Sequence, residues 1–513
     1  MGLPITGLKI AALMTTLTGS FVTAVDTGPA LAGAAANPAI TIRAIDREGT
    51  VVPVTASLQS PVISPTSIDD TLTSAHPTRV PRGTYNIAAW VFDPSGGQTL
   101  VDRGITVTGS VTITFDARKG RPIRFVVDDP TVKQDAVQAE PFTRTGIFAF
   151  DGFGGPLPVV PYVVPGPMGP GEYLSLEADL TRPDVFPSPV DYVLVKVIRG
   201  VIPANPTFTV STAKLASDNV TVKAVDPGGE EIVDFTPVAP GIPDLPTGPF
   251  GQSGVTPFSV QFHFTPGYRW QSMTDGTNND NFPFTPLFGV HHYAQTFDSA
   301  AFGPGAGSGP VVAGSEIETT SPWLDQIFED PTQEMDTSFG LDVDSSQTWL
   351  YRGSKLLAHG VNNNGVSAKI SATPHWYTFR ARASRGPGTT LSTSVALYFN
   401  FRAWANSQLD PFWPRIIPNG LSAWNAARHG TRTAVRIFFS DLLHNIPAHE
   451  VRVWASADGG KTWQPLHVSQ TGSRWTVIVT NPAKAGFVSL RVQGTDTHGS
   501  TARVTVTNAY AVS

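Results

Sequence analysis

Hydrophobic and polar residues alternate with a period of two along most of this chain, as in strands that bury one face. The clearest case is residues 450–468, where Val451 and Val453 occupy every second position. Residues 458–460, Asp-Gly-Gly, tolerate a positive φ, and residues 463–468 return as a second strand. This stretch predicts a β-hairpin.

The same alternation predicts a β-sandwich over residues 40–128. Residues 40–46 form a strand that ends at a turn over 47–49, and residues 84–92 form another. Further alternating positions follow at short intervals: Tyr85/Ile87/Ala89/Val91, Ile105/Val107, Val111/Ile113/Phe115 and Ile123/Phe125/Val127. Short strands at regular intervals with turns between them are typical of sandwiches.

The middle of the chain, residues 135–405, is predicted to be β-rich but irregular, as one sandwich or two. Residues 154–171 and 237–254 are rich in Pro and Gly and predict loops. One short helix is expected over residues 321–330, with Ser321 as N-cap and Pro322 at the first helical position.

Residues 410–513 have the strand spacing of an immunoglobulin- or fibronectin-like sandwich. Beyond the hairpin, the alternating positions are Trp475/Val477/Val479, Val488/Leu490/Val492 and Val504/Val506. The predicted fold class is therefore all-β, with several β-sandwiches in one chain.

The amino-acid composition agrees with an all-β fold and excludes some classes of function. The 513 residues include 48 Gly and 45 Pro, which suits many short strands joined by turns. Charged residues make up 15% and the net charge is −6, so a nucleic-acid partner is not expected. Cysteine is absent, which leaves neither disulfides nor a thiol nucleophile.

The N-terminus predicts a secretory signal over residues 1–32. Lys9 precedes an apolar run at 10–25, and Ala30-Leu31-Ala32 offers a cleavage site. A membrane anchor is the alternative, but the run is short of the roughly 20 apolar residues that a span needs. We expect a secreted, extracellular chain with no membrane span after signal removal.

The hairpin turn contains Ser456, Asp458, Gly460, Thr462 and Trp463 in the spacing S-x-D-x-G-x-T-W. This resembles the Asp-box of sialidases and other secreted β proteins. The resemblance implies that the Asp and Ser bind turn amides while the Trp packs beneath, so these residues build a hairpin and carry no catalysis.

Residues 80–87, Val-Pro-Arg-Gly-Thr-Tyr-Asn-Ile, resemble a strand entry of transthyretin-like domains, which are generally non-catalytic. Several further segments together resemble the non-catalytic C-terminal region of large secreted actinobacterial subtilisin-like serine peptidases. They occur in the order of that family: residues 114–122, 199–207, 294–304, 348–356, 376–382 with 391–394, and 410–513.

The resemblance implies a peptidase-associated accessory region without its peptidase domain. Asp26-Thr27-Gly28 and His429-Gly430-Thr431 resemble fragments of the subtilisin motifs, but no matching serine segment exists. A serine peptidase needs its nucleophile, base and acid together. We therefore expect no enzyme activity of this kind.

An oxygen-rich loop is the candidate metal site. Asp275, Asn278, Asn279 and Asp280 carry the oxygen ligands that calcium prefers, although a plain Asn/Asp turn explains them too. Secondary candidates are Asp342 with Asp344, His291-His292, and His444 with His449-Glu450. No cofactor other than calcium is expected.

The predicted function is an accessory or binding role on an extracellular protein partner, a protein substrate or a cell-envelope polymer. A carbohydrate-binding protein is the first alternative, because exposed rings stack on sugars. The candidate rings are Trp90, Trp404, Trp413, Trp424 and Trp454. The second alternative is a hydrolase of unrecognised class whose active site is built from converging carboxylates. A separately encoded peptidase partner is a further alternative.

Overall fold

The computed structural model describes residues 37–61, 69–143, 146–147, 161–238, 250–276, 279–281, 284–287, 289–305, 309–319, 327–332, 343–362, 365–409, 411–440 and 448–513. These segments are mostly β-strand, and the helices among them are two 3-10 turns, Ala117–Lys119 and Thr212–Lys214. Neither of these described helices is long or apolar enough to cross a membrane. The predicted all-β, multi-sheet fold is confirmed.

All but the last of the N-terminal strands lie in two facing sheets, and the last pairs in parallel with residues 207–210. The N-terminal strands are β1 (Ala39–Ile45), β2 (Val51–Val52), β3 (Thr55–Gln59), β4 (Asp69–Thr73), β5 (Thr78–Arg79), β6 (Gly83–Phe92), β7 (Gln98–Val107), β8 (Val111–Asp116), β9 (Arg121–Pro122) and β10 (Arg124–Val127). A four-stranded sheet has the order β2-β1-β5, with β8 parallel to β1. A six-stranded sheet runs β4-β3-β6-β7, then Pro161–Val163, then β9. Ile40, Ile42 and Ile87 share the core between them, as the alternation predicted.

Strand β6 is buried on both faces. Ile87 and Val91 point into the first core, while Ala88 and Trp90 lie in a second core with Leu174 of the middle region. The six-stranded sheet is therefore an interior layer, and the sandwich predicted over residues 40–128 shares this core with the residues that follow it.

The middle region supplies two more sheets. Its strands are β11 (Lys133–Thr143), β12 (Gly146–Ile147), β13 (Pro161–Val163), β14 (Gly166–Pro167), β15 (Tyr173–Thr181), β16 (Val190–Arg199), β17 (Val201–Ile202), β18 (Thr207–Val210), β19 (Ala216–Val222), β20 (Glu230–Val238), β21 (Phe250–Val255), β22 (Phe258–Phe264), β23 (Arg269–Gly276), β24 (Asn279–Asn281), β25 (Phe284–Leu287) and β26 (His292–Phe297). A seven-stranded sheet has the order β12-β11-β15-β16-β22-β19-β26. A five-stranded sheet has the order β21-β20-β23-β24, with β25 also on β23.

These four sheets form a stack with three apolar cores. The second core lies between the six- and seven-stranded sheets, and includes Leu100 and Tyr192. The third lies between the seven- and five-stranded sheets, where Phe262, Phe235 and Trp270 meet. Because the second and third cores lie on its two sides, both faces of the seven-stranded sheet are buried. We call residues 39–297 the stack.

Most of the C-terminal strands form a separate sandwich, and the first, second and fifth of them pair in a three-stranded sheet. The C-terminal strands are β27 (Val311–Ala313), β28 (Glu316–Glu318), β29 (Ser345–Arg352), β30 (Lys355–Val361), β31 (Ser367–Lys369), β32 (His375–Ser384), β33 (Ser394–Ala403), β34 (Trp413–Pro418), β35 (Ala426–Ala427), β36 (Arg432–Ser440), β37 (Glu450–Ser456), β38 (Gln464–Leu466), β39 (Val468–Thr471), β40 (Arg474–Thr480), β41 (Gly486–Thr495) and β42 (Thr501–Val512). A nine-stranded sheet has the order β30-β29-β32-β33-β42-β41-β37-β38, with β35 beside β42. It packs on a four-stranded sheet, β34-β36-β40-β39.

The C-terminal sandwich extends beyond the predicted residues 410–513. Strands β29, β30, β32 and β33 come from the middle region, and β33 pairs with β42 from Ser394↔Thr507 to Asn400↔Thr501. The ring of Phe399 in β33 lies 5.8 Å from that of Phe412 and 5.6 Å from that of Trp413. Phe412 and Trp413 are thus part of this core.

The predicted hairpin is present, and its second strand divides. β37 pairs with β38 at Val453↔Leu466 and Ala455↔Gln464. After His467 the chain continues as β39 in the four-stranded sheet, where Val468 pairs with Val477. The hairpin therefore connects the two sheets of the sandwich.

The helix predicted over residues 321–330 is wrong in its described part. Residues 320–326 lie outside the described segments, and residues 327–330 form a turn followed by an isolated bridge. Glu329 N–H donates to Gly303 O and Gly303 N–H donates to Glu329 O, at 2.8 and 3.1 Å. These backbone groups therefore pair with a distant segment of the same chain and do not form the hydrogen bonds of a helix.

A polar joint connects the stack to the C-terminal sandwich. The Asn425 side chain donates to Ala224 O and Asp298 O, at 3.0 and 2.7 Å. Arg385, which is buried, forms an ion pair with Asp226. Val225 beside it packs in the C-terminal core. The two units are thus fixed to each other by hydrogen bonds and apolar contact.

Candidate functional site

The predicted calcium loop is part of a strand pair. Asp275 lies in β23, and Asn279 and Asp280 lie in β24. The register pairs Asp275 with Asp280 and Gly276 with Asn279, whereas Asn278 lies outside the described residues. This pairing brings the backbones of the two acidic positions together, and the calcium site remains a prediction.

The secondary metal candidates are dispersed. Asp344 N–H donates to Ser384 O at 3.0 Å, while Asp342 and His444 lie outside the described residues. His292 Nδ1 is hydrogen-bonded to Ser217, and His449 N–H donates to Thr495 O at 2.7 Å. In the described segments no group of three His, Asp or Glu side chains is placed to hold a metal ion.

The Asp-box turn has a network of side-chain to backbone hydrogen bonds. Asp458 Oδ1 accepts from Thr462 N–H at 2.9 Å, and Ser456 Oγ accepts from Gly460 N–H at 2.9 Å. These bonds lower the pKa of Asp458, with the Thr462 hydroxyl as the largest cause. Gly460 has a φ of +87° and lies against the ring of Trp463. The turn is built as the motif resemblance implies.

The five candidate tryptophans for sugar stacking fall into two groups. Trp90 and Trp413 are buried, at 7% and 1% exposure, so they cannot form a platform. Trp404 and Trp424 are exposed, and Trp454 is half-buried. The alternation correctly placed Trp90 on the face of β6 opposite Ile87 and Val91, but the seven-stranded sheet covers that face.

The outward side of the nine-stranded sheet, which we call the open face, carries a row of residues that cross-strand pairing brings side by side. The registers Trp349↔His359, Trp349↔Arg380, Arg380↔Tyr398, Tyr398↔Arg503, Arg503↔Gln493 and Gln493↔Arg452 join seven strands. With strands ~4.8 Å apart, this transverse row is roughly 30 Å long. Aromatic residues occupy one half and arginines recur along it.

The aromatic rings of the transverse row hold its arginines in place. The guanidinium of Arg503 lies 4.8 Å from the ring centre of Tyr398, and that of Arg380 lies 5.7 Å from it. Arg380 is also 5.4 Å from the ring of Tyr351. The Trp349 ring stacks on His359 at 5.3 Å. Stacked guanidinium groups keep their N–H edges available for oxyanions.

Further arginines surround the row. Arg382 and Arg402 are exposed on the same face, and Arg491 lies 4.0 Å from the ring of Trp463. Burial, followed by the charge of Arg503, lowers the pKa of Arg491. Arg452 has an acidic partner, because Glu450 accepts from Arg452 Nε at 2.8 Å. The open face is strongly cationic on a chain whose net charge is −6.

Two pairs of carboxylates converge inside the stack. Asp179 and Asp191 are in side-chain contact, and burial followed by Asp191 raises the pKa of Asp179. Asp102 and Glu172 form a second contact pair, and burial raises the pKa of both. The hydrolase alternative predicts two carboxyls about 5–9.5 Å apart on either side of a bound glycoside. The carboxyls of these two pairs touch each other and leave no room for a substrate between them.

Comparison with known proteins gives no family. The sequence matches no family model and no curated protein. Among solved structures, the Bacillus anthracis TIE protein is similar over 70% of this chain and 66% of its own, at 9% sequence identity and a TM-score of 0.12. A score that low carries no argument about fold or function.

Proposed function

We propose that this chain is a non-catalytic extracellular binding protein that holds an anionic polysaccharide of the cell envelope on its open face. The observation that carries this proposal is the transverse row, in which arginines alternate with aromatic and amide side chains across seven strands. The predicted signal and the resemblance to a peptidase accessory region support the extracellular role.

The chemistry of the row favours oxyanions. Arginine binds carboxylate and phosphate through two parallel N–H···O bonds, and a ring beneath it reduces the freedom it must lose on binding. Arg380 and Arg503 share the ring of Tyr398 in this way. Gln493 and Asn400 beside them offer amides for sugar hydroxyls.

Two other polymeric partners fit the same face less well. Nucleobases need open aromatic faces for stacking, whereas guanidinium groups cover Tyr398 and an imidazole covers Trp349. A protein partner generally needs an apolar centre with few charges, and Arg380 and Arg503 occupy the centre here. A linear polymer of acidic sugars needs neither.

The test is binding of the mature chain to insoluble polygalacturonate, with cellulose as the neutral glycan and a single-stranded oligonucleotide as the third ligand. We expect retention on polygalacturonate that weakens as salt rises, since exposed charges are screened within about 10 Å at 0.1 M salt. Arg380→Gln with Arg503→Gln should lower affinity roughly tenfold, at about 0.7 kcal/mol per arginine.

The matched control is Arg432→Gln with Arg474→Gln, which removes the same charge from exposed positions on the opposite, four-stranded sheet. Equal losses in the two double variants would show that only net charge matters and would overturn the open face as the site. Tighter binding of the oligonucleotide than of polygalacturonate would overturn the ligand class.

Neutral glycan binding is a second candidate function, favoured by two exposed rings at one end of the sandwich. Trp376 is the second residue of β32 and pairs with Arg402, and Trp404 follows the end of β33. They are 43% and 40% exposed. Retention on cellulose that Trp376→Ala and Trp404→Ala abolish, with the arginine variants unaffected, would select this function.

A further inference from the structure

A buried polar group lies between the six- and seven-stranded sheets of the stack. Asn86 in β6 and Asp102 in β7 point to the same side, because their strands pair at Ala88↔Asp102 and Asn86↔Gly104. Glu172 approaches them from the loop before β15, where burial and contact with Asp102 raise its pKa. The three side chains are at most 5% exposed.

Four of the five side-chain oxygens of this group lack a hydrogen-bond donor among the described residues. They are Asn86 Oδ1, both carboxylate oxygens of Asp102 and Glu172 Oε1, for which the described part of the chain offers no donor. The Asn86 amide is oriented, since its Nδ2 donates to Pro170 O at 3.2 Å. Its Oδ1 is therefore directed away from that carbonyl. A buried acceptor without a donor costs about 1–3 kcal/mol, so several together need an explanation.

Gly169 shows that these oxygens converge. A Cβ at this position would lie 2.1 Å from Asn86 Oδ1 and 2.7 Å from Glu172 Oε2. Only glycine fits there, and its N–H donates to Glu172 Oε2. The backbone thus allows an amide oxygen and a carboxylate to approach the same point, with Asp102 in contact with Glu172.

No protein cation balances the two carboxyls within the described residues. Neither Asp102 nor Glu172 belongs to an ion pair there. Arg103 follows Asp102 on the strand and so points to the opposite face, where it donates to Thr114 O at 3.2 Å. Two buried carboxyls without a counter-charge are unfavourable unless a proton or a metal ion joins them.

We propose that Asn86, Asp102 and Glu172 form a calcium site that joins the two sheets. Calcium takes 6–8 oxygen ligands, commonly carboxylates, amide oxygens and waters. Asp102 also borders a surface cleft of about 390 Å³ that is lined by Gly104 and Met168. This site is distinct from the loop at Asp275, and it does not depend on the open face binding a polysaccharide.

The experiment measures calcium binding to the whole mature chain by calorimetry, together with the melting temperature in calcium and in chelator. We expect one calcium ion that Asp102→Asn and Glu172→Gln each weaken at least 100-fold, and a melting temperature that calcium raises in the wild type alone. These replacements keep the side-chain shape and remove the repulsion, so the variants should fold in the absence of calcium.

Two controls separate this site from the alternatives. Asp275→Asn with Asp280→Asn should leave the bound ion in place, and loss of the ion in that variant would move the site to the β23–β24 loop. A wild type that binds no calcium, with a melting temperature raised by Asp102→Asn, would overturn the proposal and show that the two carboxyls share a proton. Asn86→Ala should weaken binding about tenfold, because it removes one neutral ligand.

Discussion

The seven-stranded sheet of the stack and the nine-stranded sheet of the C-terminal sandwich place charge in opposite ways. Both faces of the first are buried, and it carries Glu177, Asp179 and Asp191 in the interior. The second buries one face and exposes the other, which carries arginines such as Arg380. Interior carboxyls affect folding stability and its pH dependence, whereas surface arginines affect binding and its salt dependence.

The two units also differ in how their apolar surface is divided. The stack spreads it over three cores, while the C-terminal sandwich gathers it into one large core. Asp226 and Arg385 connect them, so the stability of each unit should be partly coupled to the other.

The largest expected effect on the free energy of unfolding comes from replacing a buried phenylalanine by alanine in one core of each unit. Phe399→Ala in the C-terminal core and Phe262→Ala in the third core of the stack should each cost about 3–5 kcal/mol of unfolding free energy. Both side chains are buried among other rings. Urea unfolding followed by circular dichroism measures the cost.

Binding to polygalacturonate then distinguishes the two variants. The Phe262→Ala chain should keep the open face and bind as the wild type does under native conditions, whereas Phe399→Ala should lower the urea concentration at which binding is lost. Equal loss of binding in both variants would mean that the stack and the sandwich unfold as one unit.

A smaller effect, of opposite sign, is expected at Glu177. Burial raises the pKa of this carboxyl, and no described residue donates a hydrogen bond to either of its oxygens. Its contribution to stability is full below the unfolded pKa of about 4.3 and is lost as the pH rises toward the folded value. Glu177→Gln, which stays neutral, should be about 1–3 kcal/mol more stable than the wild type at pH 8.

Urea unfolding at pH 4.5 and pH 8 measures this difference, which should shrink toward zero at the lower pH. Glu230→Gln is the matched control, since Glu230 lies in β20 of the facing sheet and is exposed. A pH-independent difference at position 177 would show that packing, and not ionisation, separates the variant from the wild type.

The smallest expected effect is at the Asp-box turn. Ser456 Oγ accepts from Gly460 N–H at 2.9 Å and donates to Asp458 Oδ1 at 2.7 Å. Ser456→Ala should cost about 1 kcal/mol of unfolding free energy, measured in urea. Because the turn positions Trp463 beneath Arg491, affinity for polygalacturonate should fall about twofold. Unchanged affinity would exclude Arg491 from the bound surface.

Local alternation was sufficient to predict the strands but not their partners. Residues 84–92 and 450–456 were predicted as strands, and β6 and β37 confirm them to within a residue. The joining of β33 to β42, more than a hundred residues apart, could not be predicted, because pairing depends on which distant strand shares the core. The boundaries at 128 and 410 follow the spacing of the predicted strands along the chain, which does not detect cores shared with distant strands.

The candidate sites were missed for the same reason. Arg380, Tyr398 and Arg503 are ordinary alternating residues on three separate strands, and only the register makes them neighbours. Asn86, Asp102 and Glu172 likewise come from three strands or loops with no common motif. By contrast, the Asp-box lies within eight consecutive positions, so its pattern was visible in the sequence.

Pro465 in β38 limits how the nine-stranded sheet can grow. β38 is the last strand at one end of that sheet, where Pro465 pairs with Trp454. A proline has no N–H to give to an added strand, and Lys355 and Arg352 put charge at the opposite end. An unprotected edge of so wide a sheet would be a template for aggregation, and these edge residues protect the protein against it.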